Sequence, residues 1–317
     1  MRRLEAESWG SSARAVPAPV LATVLAVLVL AAACAGPEPV PSADSSSTTP
    51  VRASGLEEGP RRIVTLAPSI TEIAFALGLE ERIVGVGSFA NYPPEARAKP
   101  RLGGLTDPNL ELLVALDPQL AILLPSEDDV AGPLRRLGIE VMTVESETLE
   151  DLEQSILAIA RRCGVEPAGR ALIEELRKEL APRSVGDGVR VMITIGRQPG
   201  APAEVLVAGP GTFLDELLRR LGAVNVFADA GLRYPIVGLE EILRRDPEVI
   251  VELQSASLEA AEAERVEDAL TADWDRVAGL PAARSGRVEL IAGDFTLIPG
   301  PRVPKLYRRL AQALEAR

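Results

Sequence analysis

The amino-acid sequence predicts an α/β protein built of two similar lobes, each with a mainly parallel central sheet, joined by one rigid interlobe helix. Three observations carry that reading. Short β-branched runs alternate with amphipathic helical runs, the pattern of parallel strand–helix–strand units. One helix–strand segment of the first half is written again in the second half at a constant spacing. Between the two halves lies a nearly unbroken helical stretch, 149–180.

Taken in order, the chain opens with a leader. Arg2 and Arg3 precede an apolar run from Val20 to Ala33, interrupted only by Thr23. That run suits a signal-peptide core and falls short of the roughly 20 residues of a membrane-spanning helix. It closes on Leu30-Ala31-Ala32-Ala33-Cys34, which resembles a bacterial lipobox with Cys34 as the lipidated residue, although Ala31 stands where a leucine is usual. Residues 35–58, rich in Pro, Ser and Thr, cannot bury enough apolar surface to offset their ordering entropy. The expected organisation is a signal peptide over 1–34, a flexible linker over 35–58, an N-terminal lobe over 59–165, an interlobe helix over 166–184 and a C-terminal lobe over 185–317.

The first lobe starts with the strand Arg62–Leu66, a turn at Ala67-Pro68-Ser69, and a helix from Ile70 to Leu77 that Ser69 or Thr71 can cap and Gly78 ends. Arg82–Val86 is the next strand. A helix from Asn109 then stops at Asp117-Pro118 and gives way to the buried strand Leu120–Leu124. This last segment recurs without a gap at Gly238–Leu253. Glu111 matches Glu240 and Asp117 matches Asp246, with 240 − 111 = 129 and 246 − 117 = 129. The first helix has its own twin, since Thr71–Gly78 aligns with Asp215–Gly222. Leu149–Cys163 and Pro167–Leu180 are two amphipathic helices separated by Gly164, and a helical crossing between lobes is stiffer than a hinge of bare strands. The second lobe opens with the strand Val189–Ile195.

Composition excludes several functions. A formal net charge of −12 does not suit a surface that neutralises phosphates, so no nucleic-acid partner is expected. The chain has no histidine, which removes Ser-His-Asp and Cys-His catalysis, the usual zinc sites and histidine-ligated haem. Gly209-Pro210-Gly211 before the helix at Phe213 completes no phosphate-binding motif, and no nucleophile has a positioned base. The protein is therefore read as a non-enzyme needing no cofactor, with a chelatase-like enzyme as the distant alternative. Cys163 reads as a buried helix residue without chemistry.

A cleft between such lobes is lined by loops at the carboxyl ends of the strands. Those loops hold Pro68, Ser69, Phe89 and Tyr92 in the first lobe, and Arg197, Arg233, Tyr234 and Phe295 in the second. Aromatic residues are scarce here, at 3% of the chain, so the gathering of Phe89, Tyr92, Tyr234 and Phe295 in these loops points to flat apolar walls for a bulky ligand.

From about residue 61 onward the chain resembles the helical-backbone solute-binding proteins, which serve importers of cobalamin, ferric siderophores and haem. The likeness rests on Thr65-Leu66-Ala67-Pro68-Ser69 with Glu72, Asn91-Tyr92-Pro93-Pro94, Asn109-Leu110-Glu111, Leu116-Asp117-Pro118, Gly286-Arg287-Val288 and Pro299-Gly300-Pro301-Arg302. The resemblance implies a lipid-anchored, exported monomer on the outer or periplasmic face of the cytoplasmic membrane. Its partner would be an ABC permease dimer with its ATPase subunits, onto which Glu111 and Glu240 would dock. The cobalamin binders are the nearest in kind, because Phe89, Tyr234 and Phe295 match positions where those proteins set aromatics against the corrinoid. At Leu124-Pro125-Ser126 the chain lacks the further aromatic of that group. A ferric siderophore would use Arg197 and Arg233, and a haem would need Tyr92, Tyr234 or a methionine as axial ligand.

Overall fold

A computed structural model describes residues 59–104, 108–125, 128–200, 202, 204–255, 260–277 and 279–315, which belong to one compact unit. The leader, Cys34 and the linker lie outside the described residues, as do Thr106 and Ser126.

The first sheet is parallel throughout, in the order β2-β1-β3-β4, with β1 at Ile63–Thr65, β2 at Ile83–Val86, β3 at Leu120–Leu123 and β4 at Glu140–Thr143. Helix α1 (Pro68–Ala76) joins β1 to β2, α2 (Leu110–Ala115) precedes β3, and α3 (Asp128–Arg136) joins β3 to β4. Helices α4 (Leu149–Arg162) and α5 (Glu166–Glu179) follow as an antiparallel pair. Gly169 lets them close: a Cβ there would stand 2.6 Å from that of Ala160. The segment expected to join the lobes is thus α5, backed along its length by α4.

The second parallel sheet runs β10-β9-β5-β7. Its chain order is β5 (Arg190–Ile195), β6 (Glu204–Leu206), α6 (Phe213–Arg220), β7 (Val224–Asn225), β8 (Ile236–Gly238), α7 (Leu239–Arg245), β9 (Val249–Gln254), α8 (Ala260–Asp275), α9 (Pro281–Arg284), β10 (Val288–Ala292) and α10 (Val303–Glu315). Strands β6 and β8 form a separate antiparallel ribbon that periodicity did not single out.

Parallel strands are buried on both faces, and here the two faces have different neighbours. Val64, Ala121 and Leu123 point from the first sheet toward Leu113 of α2 and Val130 and Leu134 of α3. Met192 and Ile250 point from the second sheet toward Ile242 of α7 and Trp274 of α8. The opposite faces, with Ile63 and Ile122 in one sheet and Val191, Ile193 and Val251 in the other, belong to a single core with α1, α4, α5, α6 and α10. The two sheets therefore share one helical middle layer.

The repeat is structural as well as sequential. Helices α2 and α7 are each followed by an aspartate in the left-handed region, Asp117 at φ 43° and Asp246 at φ 52°, and then by a buried proline that turns the chain into β3 or β9. An arginine at the head of each lobe's first strand braces that corner. Arg62 Nε donates to Asp117 O at 3.0 Å, and Arg190 Nε to Asp246 O at 2.9 Å.

One local expectation is corrected. Helix α1 starts at Pro68 with Ala67 as its N-cap and no side-chain cap. Proline at the first position has no N–H to satisfy and holds a helical φ, so no cap is needed. The Thr71 hydroxyl donates to Ala67 O at 3.1 Å and lies 2.7 Å from the Thr65 hydroxyl.

Because Asp117 is exposed and its side chain makes no ion pair among the described residues, it isolates the backbone term. Asp117→Val should lower unfolding free energy by about 1 kcal/mol, the added cost of a β-branched side chain where aspartate is tolerated, while Asp117→Gly should not. Urea denaturation of the two variants measures the difference, and equal losses would contradict it.

Candidate functional site

The carboxyl ends of both sheets meet at one boundary. On the first-lobe side, Pro68 and Ser69 occupy the first two positions of α1, Ser69 buried and Pro68 half-buried. The loop after β2 is held by Arg101, whose Nη1 donates to Ala90 O at 2.7 Å and Gly87 O at 3.2 Å. That loop leaves Phe89 61% and Tyr92 40% exposed, a large apolar surface turned to solvent.

On the second-lobe side, the 209–212 turn and the 232–235 loop lie against each other. Gly209 N donates to Arg233 O at 2.6 Å, and a Cβ on Gly209 would stand 2.4 Å from Leu232 O, so glycine is required for this approach. The loop presents Tyr234, half-buried, and Arg233, exposed and without an ion pair among the described residues.

Tyr234 reaches the other lobe. Its hydroxyl donates to Glu147 Oε2 at 3.3 Å, in the turn just before α4. Burial, reinforced by the Glu147 carboxylate, pushes the phenol well above its ordinary range. The Glu147 carbonyl accepts from Phe213 N at 2.7 Å, and Glu216 of α6 accepts from Leu149 N at 3.0 Å. Helices α4 and α6 are thus joined start to start, each with its own threonine cap, Thr148 and Thr212.

Two residues expected at the cleft face elsewhere. Arg197 is buried, with Nε donating to Glu252 at 2.9 Å and Nη1 to Asp273 at 3.0 Å, and it stacks 5.1 Å from the Trp274 ring centroid. Its Nη1 also donates to Gly200 O at 2.9 Å, so it braces the loop after β5 from behind. Phe295 is buried in the shared core, with Lys305 Nζ 4.1 Å from its ring centroid. Both shape the second lobe's rim with their functional groups already engaged.

A cluster that motif reading missed spans the lobes nearby. Arg302 holds Glu72 in a bidentate pair, with Nε–Oε2 at 3.0 Å and Nη2–Oε1 at 2.5 Å, and donates from Nη1 to Asp294 at 2.6 Å. Its guanidinium also lies 4.0 Å from the Tyr92 ring centroid. Burial pushes the Glu72 carboxyl above the ordinary glutamate range, and the Arg302 hydrogen bonds hold back only part of that rise. Both residues belong to the segments that carry the family resemblance, Glu72 after the first turn and Arg302 in Pro-Gly-Pro-Arg. Their separation of 230 residues hid the pairing.

Glu111 and Glu240 sit in the first turns of α2 and α7, both exposed and without an ion pair among the described residues. Cys163 is buried, its thiol pushed up to about 11 by desolvation, which is the state of an unreactive core cysteine. Among the described residues, no group of three or more His, Cys, Asp or Glu could hold a metal ion.

Comparison with known proteins matches this geometry to a family. The family model described as periplasmic binding protein matches residues 63–294. The chain is 30% identical over 201 residues to the vitamin B12-binding protein of Pectobacterium carotovorum subsp. carotovorum, covering 61% of this chain and 71% of that one. Among solved structures it is similar to the periplasmic vitamin B12 binding protein of Vibrio cholerae, with a TM-score of 0.65, 26% identity, and coverage of 81% of this chain and 97% of that one. It is also similar to a periplasmic heme binding protein from Pseudomonas aeruginosa, with a TM-score of 0.68, 27% identity, and coverage of 81% and 93%.

The buried pair generates an asymmetric prediction. Arg302→Leu strands a desolvated carboxylate beside Asp294 and should cost roughly 3–5 kcal/mol near neutral pH. Glu72→Gln should cost far less, since burial already disfavours the charged form. The pH dependence has a defined sign. A raised folded-state pKa contributes stability that is fully present below the ordinary glutamate range and lost as pH rises through the elevated value. The Arg302→Leu defect should therefore shrink on acidification. Thermal unfolding of both variants across the acid range tests this, and a defect that grows on acidification would contradict it.

Proposed function

The chain belongs to the periplasmic binding protein family, and from that premise we propose that it captures a corrinoid, cobalamin first, between its lobes and delivers it to an ABC importer. It acts in this reading as a carrier and not as an enzyme. Pro68, Ser69, Phe89 and Tyr92 line the first-lobe side of the ligand, and Tyr234 with the Arg233 guanidinium lines the second. Arg197 and Phe295 support the second-lobe wall from behind. Glu111 and Glu240 meet a permease dimer that carries its ATPase subunits. Cys34 carries the lipid, the 35–58 segment is the tether, and the body works as a monomer in 59–165, 166–184 and 185–317 parts.

The observation that carries the reading is the placement of Tyr234, half-buried in a second-lobe loop with its hydroxyl donating to Glu147 of the first lobe. The tyrosine ring offers a flat wall while its hydroxyl is already engaged by the Glu147 carboxylate, a contact that axial ligation of a ferric haem would have to break. A corrinoid arrives with its metal already ligated and asks only for flat apolar surface and peripheral hydrogen bonds. The vitamin B12-binding relatives support the same choice.

The second reading is haem. Likeness to heme-binding structures favours it, and so does Tyr92, which is exposed beneath the Arg302 guanidinium.

Titration of the 59–317 body with cyanocobalamin, cobinamide, haemin and ferric siderophores separates the readings. A ligand present at about 100 times its Kd should stabilise the fold by about 2.7 kcal/mol, a Tm rise of several degrees. The corrinoids should give that rise, and Tyr234→Ala should weaken their binding about tenfold or more while the fold persists. A rise with haemin alone, abolished by Tyr92→Phe, would replace the corrinoid by haem.

A further inference from the structure

Among the large apolar side chains that the fold leaves exposed, two are repeat mates. Val114 of α2 is 42% exposed and Leu243 of α7 is 37% exposed, and 243 − 114 = 129, the spacing that relates Glu111 to Glu240. Each follows its glutamate by three residues, which makes the two side chains neighbours on one helix face.

The phase of both helices is set by the preceding residues, Leu113 and Ile242, which are fully buried. Val114 and Leu243 therefore point outward by construction, and a large part of each apolar side chain is left without a partner in the fold. A single exposed aliphatic is ordinary. The same choice in both repeats, each time beside an exposed glutamate without an ion pair among the described residues, asks for a second reason. Glu241 next door contrasts with Glu240, because Arg245 Nε already takes it at 2.5 Å.

We propose that Glu111–Val114 and Glu240–Leu243 are two equivalent acid–aliphatic pads that seat a partner built of two like subunits. Each subunit offers a cationic side chain beside an apolar hollow. This rests on the reading that Glu111 and Glu240 meet the membrane permease, and it assigns the short-range, salt-insensitive share of that contact to Val114 and Leu243. The carboxylates act at longer range and weaken with ionic strength, whereas aliphatic burial does not. Leu243, the larger side chain, contributes more than Val114.

The test uses the full-length chain and the permease–ATPase complex of the same cell in lipid nanodiscs, with affinity measured at about 0.05 M and about 0.5 M salt. Val114→Ser/Leu243→Ser should bind about tenfold or more weakly at both salt concentrations, with the fold retained and cyanocobalamin affinity unchanged. Glu111→Gln/Glu240→Gln should bind weakly at low salt, with a deficit that shrinks at high salt. If the serine variant binds like wild type while the glutamine variant is weakened, the aliphatic pads are overturned and permease docking stands. A serine-variant loss confined to low salt overturns the pads as well. If neither variant is weakened, or if the wild-type chain does not bind the complex, the docking reading and the pads fall together.

Discussion

Burial of the inner faces of two parallel sheets against one common layer of helices is the constraint on which the other features depend. A parallel sheet cannot leave a face to water. In this chain the outer faces are covered locally by α2 and α3 in one lobe and by α7 and α8 in the other. The inner faces belong, with α1, α4, α5, α6 and α10, to one continuous core. That core runs unbroken from one lobe to the other, so apolar burial that folds the lobes also bears on their relative position.

Polar contacts across the boundary repeat this logic in a reciprocal way. Glu72 of α1 reaches Arg302, the residue before α10, and Glu216 of α6 reaches the first N–H of α4. The sequence repeat aligns these two glutamates, and each ties its own lobe's first helix to the start of the helix that leaves the other lobe. The Tyr307 hydroxyl ties α10 to the segment that enters its own lobe, lying 2.9 Å from Ala181 O and 3.2 Å from Arg220 O. With the boundary held on both sides, loops at the strand ends need only present side chains. Phe89, Tyr92 and Tyr234 are free to do so because burial elsewhere has already stabilised the fold.

What was legible in the sequence was what short-range chemistry dictates. Asp117-Pro118 and Asp246-Pro247 marked their corners because a left-handed aspartate followed by proline ends a helix within two residues. The α4–α5 pair was visible in its periodicity and in Gly164. Arg197 was misplaced because its partners Glu252 and Asp273 lie 55 and 76 residues away, and loop position alone cannot reveal a buried ion pair. Phe295 was read as a cleft aromatic for a related reason, since only the packing of α10 decides which way that loop turns its ring. Glu147, by contrast, has a local signal in the sequence. Thr148 and Asp151 form a capping box, which places Glu147 in the turn before α4.

The account makes the two lobes one fixed frame around a single ligand, and hydrogen–deuterium exchange with and without cyanocobalamin tests that most directly. Slowed exchange is expected at residues 68–70, 89–92 and 233–236 together, with the amides of α4, α5 and α10 unchanged. Protection confined to one lobe, or faster exchange in α4, α5 or α10 on ligand binding, would contradict it.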